Sequence, residues 1–186
     1  MEIKRDAYLQ QLIDRKENGM IKVITGIRRC GKSFLLFTIF KRYLLENGTD
    51  DDHIIEIALD GIENEELRDP KVCFKYIKDA MKDDGKYYLL LDEVQFMPRF
   101  EEVLNSLLRI NNIDLYVTGS NSKFHSSDIV TEFRGRGDEI SIYPLSFAEY
   151  YSAYDGDYDD AWEEYMIYGG LPQVVGFQNE RQKQII

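Results

Sequence analysis

The 186-residue chain predicts an α/β fold three layers deep, with a central, mostly parallel five-stranded sheet between helices and a short C-terminal helical segment. Three observations carry this. β-Rich apolar runs alternate with helix-forming runs along the chain. The run at 87–91, Tyr-Tyr-Leu-Leu-Leu, is apolar throughout, as suits a central parallel strand covered on both faces. The first strand passes directly through Gly26-Ile27-Arg28-Arg29-Cys30-Gly31-Lys32-Ser33 into a helix, a strand–loop–helix unit.

Each element has its own warrant. Residues 5–17 read as an amphipathic helix with Tyr8, Leu9, Leu12 and Ile13 on one side, ended by Gly19. Residues 20–25 form the first strand. Residues 34–46 form the helix after the loop, closing near Asn47-Gly48. Residues 53–59 form a second strand cored by Ile54, Ile55, Ile57 and Leu59. Residues 70–82 are helical, with Pro70 at the start and Val72, Phe74, Ile77 and Met81 apolar. The third strand is 87–91. The helix at 100–110 buries Val103, Leu104, Leu107 and Leu108. Residues 115–118 and 139–143 make the fourth and fifth strands, and the tail from Ser146 reads as helices. The organisation expected is an N-terminal helix (1–19), a core (20–145) and a helical segment (146–186). No internal repeat, low-complexity tract or flexible linker interrupts it.

Bulk properties narrow the class. A hydrophobic fraction of 44% is ordinary for a globular protein. No apolar run approaches the roughly 18 residues a membrane span needs, and the N-terminus lacks a signal-like segment, so no membrane partner and a cytoplasmic location are expected. The two cysteines, Cys30 and Cys73, make no disulfide framework. A net charge of −11 disfavours a broad nucleic-acid footprint. Arg28, Arg29, Lys32, Arg134 and Arg136 can still converge in a local basic patch, which serves a polyanionic nucleotide equally well. The acidic runs at 50–52 and 155–164 read as solvated surface.

The loop at 26–33 matches G-x-x-x-x-G-K-[ST], which cradles phosphates. Gly26 and Gly31 let the backbone turn its N–H groups inward, and the following helix adds its dipole. Lys32 is expected to bridge the β- and γ-phosphates, and to stay solvated when no nucleotide is bound. Ser33 places a hydroxyl on Mg²⁺. Ile27, Arg28, Arg29, Cys30 and Phe34 complete the nucleotide-binding set with these residues.

The third strand ends in Asp92-Glu93. Carboxylates at the C-terminal end of a parallel strand point into the ligand crevice. Asp92 is expected to orient Mg²⁺ and Glu93 to polarise the attacking water. The fourth strand ends in Thr118-Gly119-Ser120-Asn121, where Ser120 or Asn121 can meet the γ-phosphate or the water; a plain Gly-Ser-Asn strand exit has the same composition. Arg134-Gly135-Arg136 offers an arginine finger, acting within the subunit or on a neighbour, or else a surface pair that meets Asp138 and Glu139.

These runs, with Tyr143-Pro144-Leu145-Ser146-Phe147-Ala148-Glu149-Tyr150 and Tyr168-Gly169-Gly170-Leu171-Pro172, resemble the bacterial and archaeal AAA-type ATPases from about residue 20 to 176. The resemblance implies a P-loop NTPase sheet of order 5-1-4-3-2, with ATP and Mg²⁺ as ligands. It implies an ATPase whose nucleotide state is coupled to conformational change. Catalysis falls on Lys32, Glu93, Asn121 and Arg136, metal binding on Ser33 and Asp92, and an adenine contact on Pro172. A homo-oligomer is an open partner. Family members are usually longer and carry a C-terminal domain of uncertain role, so the chain is expected to be an ATPase-domain fragment or a truncated member, with the effector region missing or separate. A slow nucleotide switch, a small-molecule kinase and a DNA-associated motor are the alternatives. The acidic tail counts against a kinase lid, and the lack of Asn-Lys-x-Asp favours adenine over guanine.

Overall fold

The computed structural model describes residues 3–120, 133 and 135–176. Asn121 and Arg134 lie outside them. Five strands, β1 (Ile21–Gly26), β2 (Ile54–Ala58), β3 (Tyr87–Asp92), β4 (Ile113–Thr118) and β5 (Gly137–Ile142), form one sheet of order β2-β3-β4-β1-β5. Every neighbouring pair is parallel. This is the implied order, read from the other edge.

The side-chain alternation explains the continuous apolar strands. Ile21 and Val23 of β1, Tyr87, Leu89 and Leu91 of β3, and Leu115 and Val117 of β4 join one core layer. Ile24, Tyr88, Leu90, Tyr116, Ile140 and Ile142 face the other. Two buried faces need apolar residues at every position of a period-two element.

Helices cover both faces. On the first lie α4 (Pro70–Ala80) and α5 (Phe100–Leu107). Asp69 caps α4 by accepting from the Lys71 and Val72 amides. Its inward residues are Cys73 and Ile77, whereas the apolar Val72 is exposed. On the second face lie α1 (Asp6–Asp14) and the helix after the loop. That helix starts as α2 (Lys32–Phe34), widens into a π-helical stretch (Leu35–Phe40) and continues as α3 (Lys41–Glu46). A 3₁₀ segment, Ile62–Arg68, fills a stretch that the periodicity leaves unassigned. Its Arg68 donates to the carbonyls of Leu59, Asp60 and Gly61.

The tail forms α6 (Phe147–Ser152), α7 (Tyr158–Tyr168) and α8 (Pro172–Val175) around a third cluster of Leu145, Tyr150, Ala161 and Val174. Phe147 meets Trp162 edge-on at 4.8 Å. Ser146 and Glu149 make a reciprocal capping box at the start of α6. Leu145 donates its amide to the Gly170 carbonyl at 2.6 Å, and a Cβ on Gly170 would stand 2.2 Å from the Leu145 carbonyl oxygen. Among the described residues no helix is long and apolar enough to cross a membrane.

One buried group has no sequence signature. Lys22 of β1 is fully buried and pairs with Asp114 of β4. Its ammonium also donates to the Met20 carbonyl and lies 4.7 Å above the Tyr116 ring. Asp114 accepts in addition from Tyr116 Oη and the Glu17 amide, both at 2.9 Å. Burial pulls the Lys22 pKa down and Asp114 pushes it back.

Candidate nucleotide site

The C-terminal ends of β1, β3 and β4 meet at one edge of the sheet, so each strand delivers its last residues to one crevice. From β1 the chain enters the loop at Gly26, where any larger residue is excluded. A Cβ there would lie 2.4 Å from the Ile142 carbonyl oxygen and 2.9 Å from Cys30 Sγ. Ile27, Arg28 and Arg29 stand exposed on the loop, and Cys30 is buried beneath it. Burial pushes the Cys30 thiol pKa up. Gly31 precedes α2 from the left-handed region (φ +97°).

Lys32 differs from its expected solvated state. It is 4% exposed and donates to the Gly26 and Ile27 carbonyls at 3.2 and 3.1 Å. Two carbonyls of its own loop thus take up the ammonium. Lys32 Nζ also stands 4.0 Å from Glu93 Oε1.

Asp92 is buried and accepts from Thr118 Oγ1 and from the Ser33 hydroxyl. Burial raises its pKa, with the two hydroxyls opposing that shift. Glu93 adopts left-handed backbone angles (φ 53°, ψ 50°), and its amide donates to Thr118 Oγ1 at 3.0 Å. Thr118 therefore holds both acidic residues through one hydroxyl. Gln95 donates to Glu93 Oε2 and stands 3.5 Å from Ser120 Oγ.

Beside the loop lies a pocket of about 190 Å³ lined by Ile3, Arg5, Cys30, Gly31, Phe34, Leu145 and Pro172. Pro172 comes close enough that a Cβ on Gly31 would touch its ring at 3.8 Å. The pocket is mostly apolar with one buried cation. Arg5 donates to the Tyr143 carbonyl at 2.7 Å, pairs with Glu149 at 3.3 Å and stacks on Tyr8. Its Nη1 is buried and has no partner among the described residues.

The structure thus brings together the loop, Asp92, Glu93, Ser120, Phe34 and Pro172. It does not bring Arg136 to them. Arg136 sits exposed just before β5, at the end of the sheet opposite the loop, and donates to Asn105 of α5 at 2.8 Å. Asp138 is taken by Arg15 and Asn18, and Glu139 by Thr25 and Ser141, so neither is the partner that the sequence suggested for Arg136. Arg5 and Gln95 carry site contacts that the sequence did not assign. Gln95 lies inside the recognised Asp-Glu run, but nothing in spacing reveals its partners; Arg5 precedes an amphipathic helix far from the loop in sequence.

A parallel five-stranded sheet of this order, with a glycine-bounded loop and paired carboxylates at its edge, defines a nucleotide-binding domain of the P-loop ATPase type. More particularly, the AAA domain family matches residues 18–151, and the chain belongs to that family. It is 38% identical over 179 residues to an uncharacterized protein of Haemophilus influenzae, covering 93% of this chain and 44% of that one. It is 29% identical over 200 residues to an uncharacterized protein of Methanocaldococcus jannaschii, covering 99% and 42%. The chain therefore spans less than half the length of these relatives.

Among solved structures, it is similar to a DNA polymerase III gamma subunit-related protein of Thermotoga maritima. The TM-score is 0.57 at 12% identity, over 96% of this chain and 60% of that one. It is also similar to C. elegans PCH-2, with a TM-score of 0.54 at 17% identity over 79% and 44%. At such identities the likeness shows the fold alone.

Proposed function

We propose that this domain binds and hydrolyses ATP with Mg²⁺ and converts nucleotide state into conformational change. The observation that carries the reading is the convergence of Lys32, Ser33, Asp92 and Glu93 at one sheet edge, with Lys32 and Glu93 4.0 Å apart. The Ser33 hydroxyl pairs with the buried Asp92 carboxylate, whose pKa burial raises. Ser33 and Asp92 are oxygen donors that would hold a hard divalent cation. Bound there, Mg²⁺ supplies charge neutralisation at the phosphates.

The chain's own residues then divide the work. The loop amides and Lys32 hold the phosphates, the ammonium exchanging the Gly26 and Ile27 carbonyls for phosphate oxygens. Glu93 takes a proton from the water that attacks the γ-phosphorus; the bond to ADP breaks and phosphate leaves. Asn121 is assigned to the γ-phosphate or the water. The purine base enters the pocket between Phe34, Leu145 and Pro172. Arg5 Nη1, unpartnered among the described residues, donates there to a ring nitrogen or carbonyl acceptor. Arg136, remote from its own loop, serves a neighbouring subunit's nucleotide, which makes the working form a homo-oligomer.

The second reading is a slow switch. It is favoured by the hold that Gln95 and Lys32 keep on both oxygens of Glu93. The deciding experiment measures Mg²⁺-dependent ATP binding by titration and phosphate release on the same protein. Binding with turnover supports the ATPase, binding without turnover supports the switch, and no triphosphate binding overturns both. We assign an effector region to the part of the longer relatives that this chain does not span. The Aeropyrum pernix ORC1 protein, a structure of similar fold solved in complex with DNA, matches with a TM-score of 0.51 at 15% identity. For this domain the charge of −11 still argues against a broad nucleic-acid footprint. Anisotropy titration with duplex DNA at two salt concentrations tests that.

A further inference from the structure

We infer that Gln95 is a positioning residue for Glu93, anchoring one carboxylate oxygen so that the other is presented to the water, and linking it to the β4 exit at Ser120. The inference rests on the hydrolytic reading of Glu93. Gln95 sits in the 3₁₀ turn Val94–Phe96 directly after Glu93. Its amide nitrogen donates to Glu93 Oε2 and lies 3.5 Å from Ser120 Oγ. Its amide oxygen is buried and accepts nothing among the described residues. Reversing the amide would turn that oxygen onto the Glu93 carboxylate, so the donor side must face Glu93.

The two oxygens of Glu93 thus have different neighbours. Oε2 is held by Gln95, and Oε1 faces the Lys32 ammonium at 4.0 Å. When Lys32 turns to a phosphate, Oε1 loses that neighbour and becomes the proton acceptor, while Oε2 stays fixed. The backbone cannot do this alone. Thr118 pins the Glu93 amide, but the side chain has three further rotatable bonds, which among the described residues Gln95 and Lys32 restrain. Because the same amide reaches Ser120, a shift of the β4 exit toward or away from nucleotide moves the Glu93 carboxylate with it.

The test is a cycle of Gln95→Met, Glu93→Gln and the double variant, measured on the full chain as kcat, KM and Mg·ATP affinity. Methionine keeps the length and volume of glutamine and removes the donor. Gln95→Met should lower kcat roughly ten- to hundredfold, the cost of a misplaced catalytic group, with ATP affinity and melting temperature near wild type. In the Glu93→Gln background the same change should alter the residual rate less than about twofold, because a residue acting only through Glu93 has nothing left to position. Ser120→Ala should lower kcat by a smaller factor in the same pattern. Equal falls in both backgrounds would show a structural role and overturn the inference, as would wild-type kcat in Gln95→Met. If Glu93→Gln itself turns over normally, the assignment of Glu93 as base fails first and this inference with it. A slow Glu93→Gln beside a normal Gln95→Met removes this inference alone.

Discussion

Lys32 Nζ and Glu93 Oε1 face each other at 4.0 Å across the end of β4, which separates their parent strands. The cation of the phosphate loop and the acid after β3 are therefore a pair, and on the proposed reading a triphosphate that takes Lys32 competes with Glu93 for it.

Lys32→Ala should abolish measurable triphosphate affinity in calorimetry. Because Lys32 is buried and bonded to two loop carbonyls, it should also lower stability by about 1 kcal/mol, a loss of a few degrees in a thermal melt. Glu93→Gln should keep Mg·ATP affinity and slow phosphate release about 10²- to 10⁴-fold. Unchanged turnover in either variant contradicts the assigned roles.

Arg136→Ala should retain ATP binding and lose hydrolysis by roughly 10³-fold. Mixing it with Glu93→Gln protein should restore part of the rate, because each partner supplies what the other lacks. The placement of Arg136 beyond the far end of β5 makes rescue the expected outcome. Normal hydrolysis by Arg136→Ala alone would leave its bond to Asn105 as its whole role.

Lys22→Met should leave Asp114 buried without its cation and cost about 3–5 kcal/mol. Adding Asp114→Asn should recover part of that loss. Urea unfolding of the two variants reads the difference directly. A single variant as stable as wild type would mean that Asp114 finds water or another donor.

Neither thiol should react readily in the native protein. Burial pushes Cys73 up to about 11 and raises Cys30 as well. At pH 8 a thiol of pKa near 11 is thiolate in only about one molecule in a thousand. Iodoacetamide should label the folded chain slowly at both sites and label both rapidly once it is unfolded, as read by mass spectrometry. Raising the pH toward 11 should speed Cys73 labelling, provided the fold persists.

The fold was legible because its signals are local and redundant. Alternation, continuous apolar strands and the glycine-bounded loop each point to a parallel sheet, and the strands lie within a residue or two of their expected bounds. The helix at 70–82 is legible from its apolar residues, but which of them face inward is not, since Cys73 and Ile77 are buried and Val72 is exposed. The loop, Asp92 and Glu93 were legible as contiguous motifs. Arg5, the Lys22–Asp114 pair and the contacts of Gln95 were not, because each depends on which residues three-dimensional packing brings together. The solvation of Lys32 was misread for the same reason: sequence names the cation but not the carbonyls that hold it.

The pocket beside the loop joins Ile3 and Arg5 to Leu145 and Pro172, near opposite ends of the described chain. During synthesis it cannot exist until nearly the whole domain has left the ribosome. A ligand there offers nothing to an early folding nucleus and stabilises only the finished topology, slowing its unfolding rather than hastening its formation.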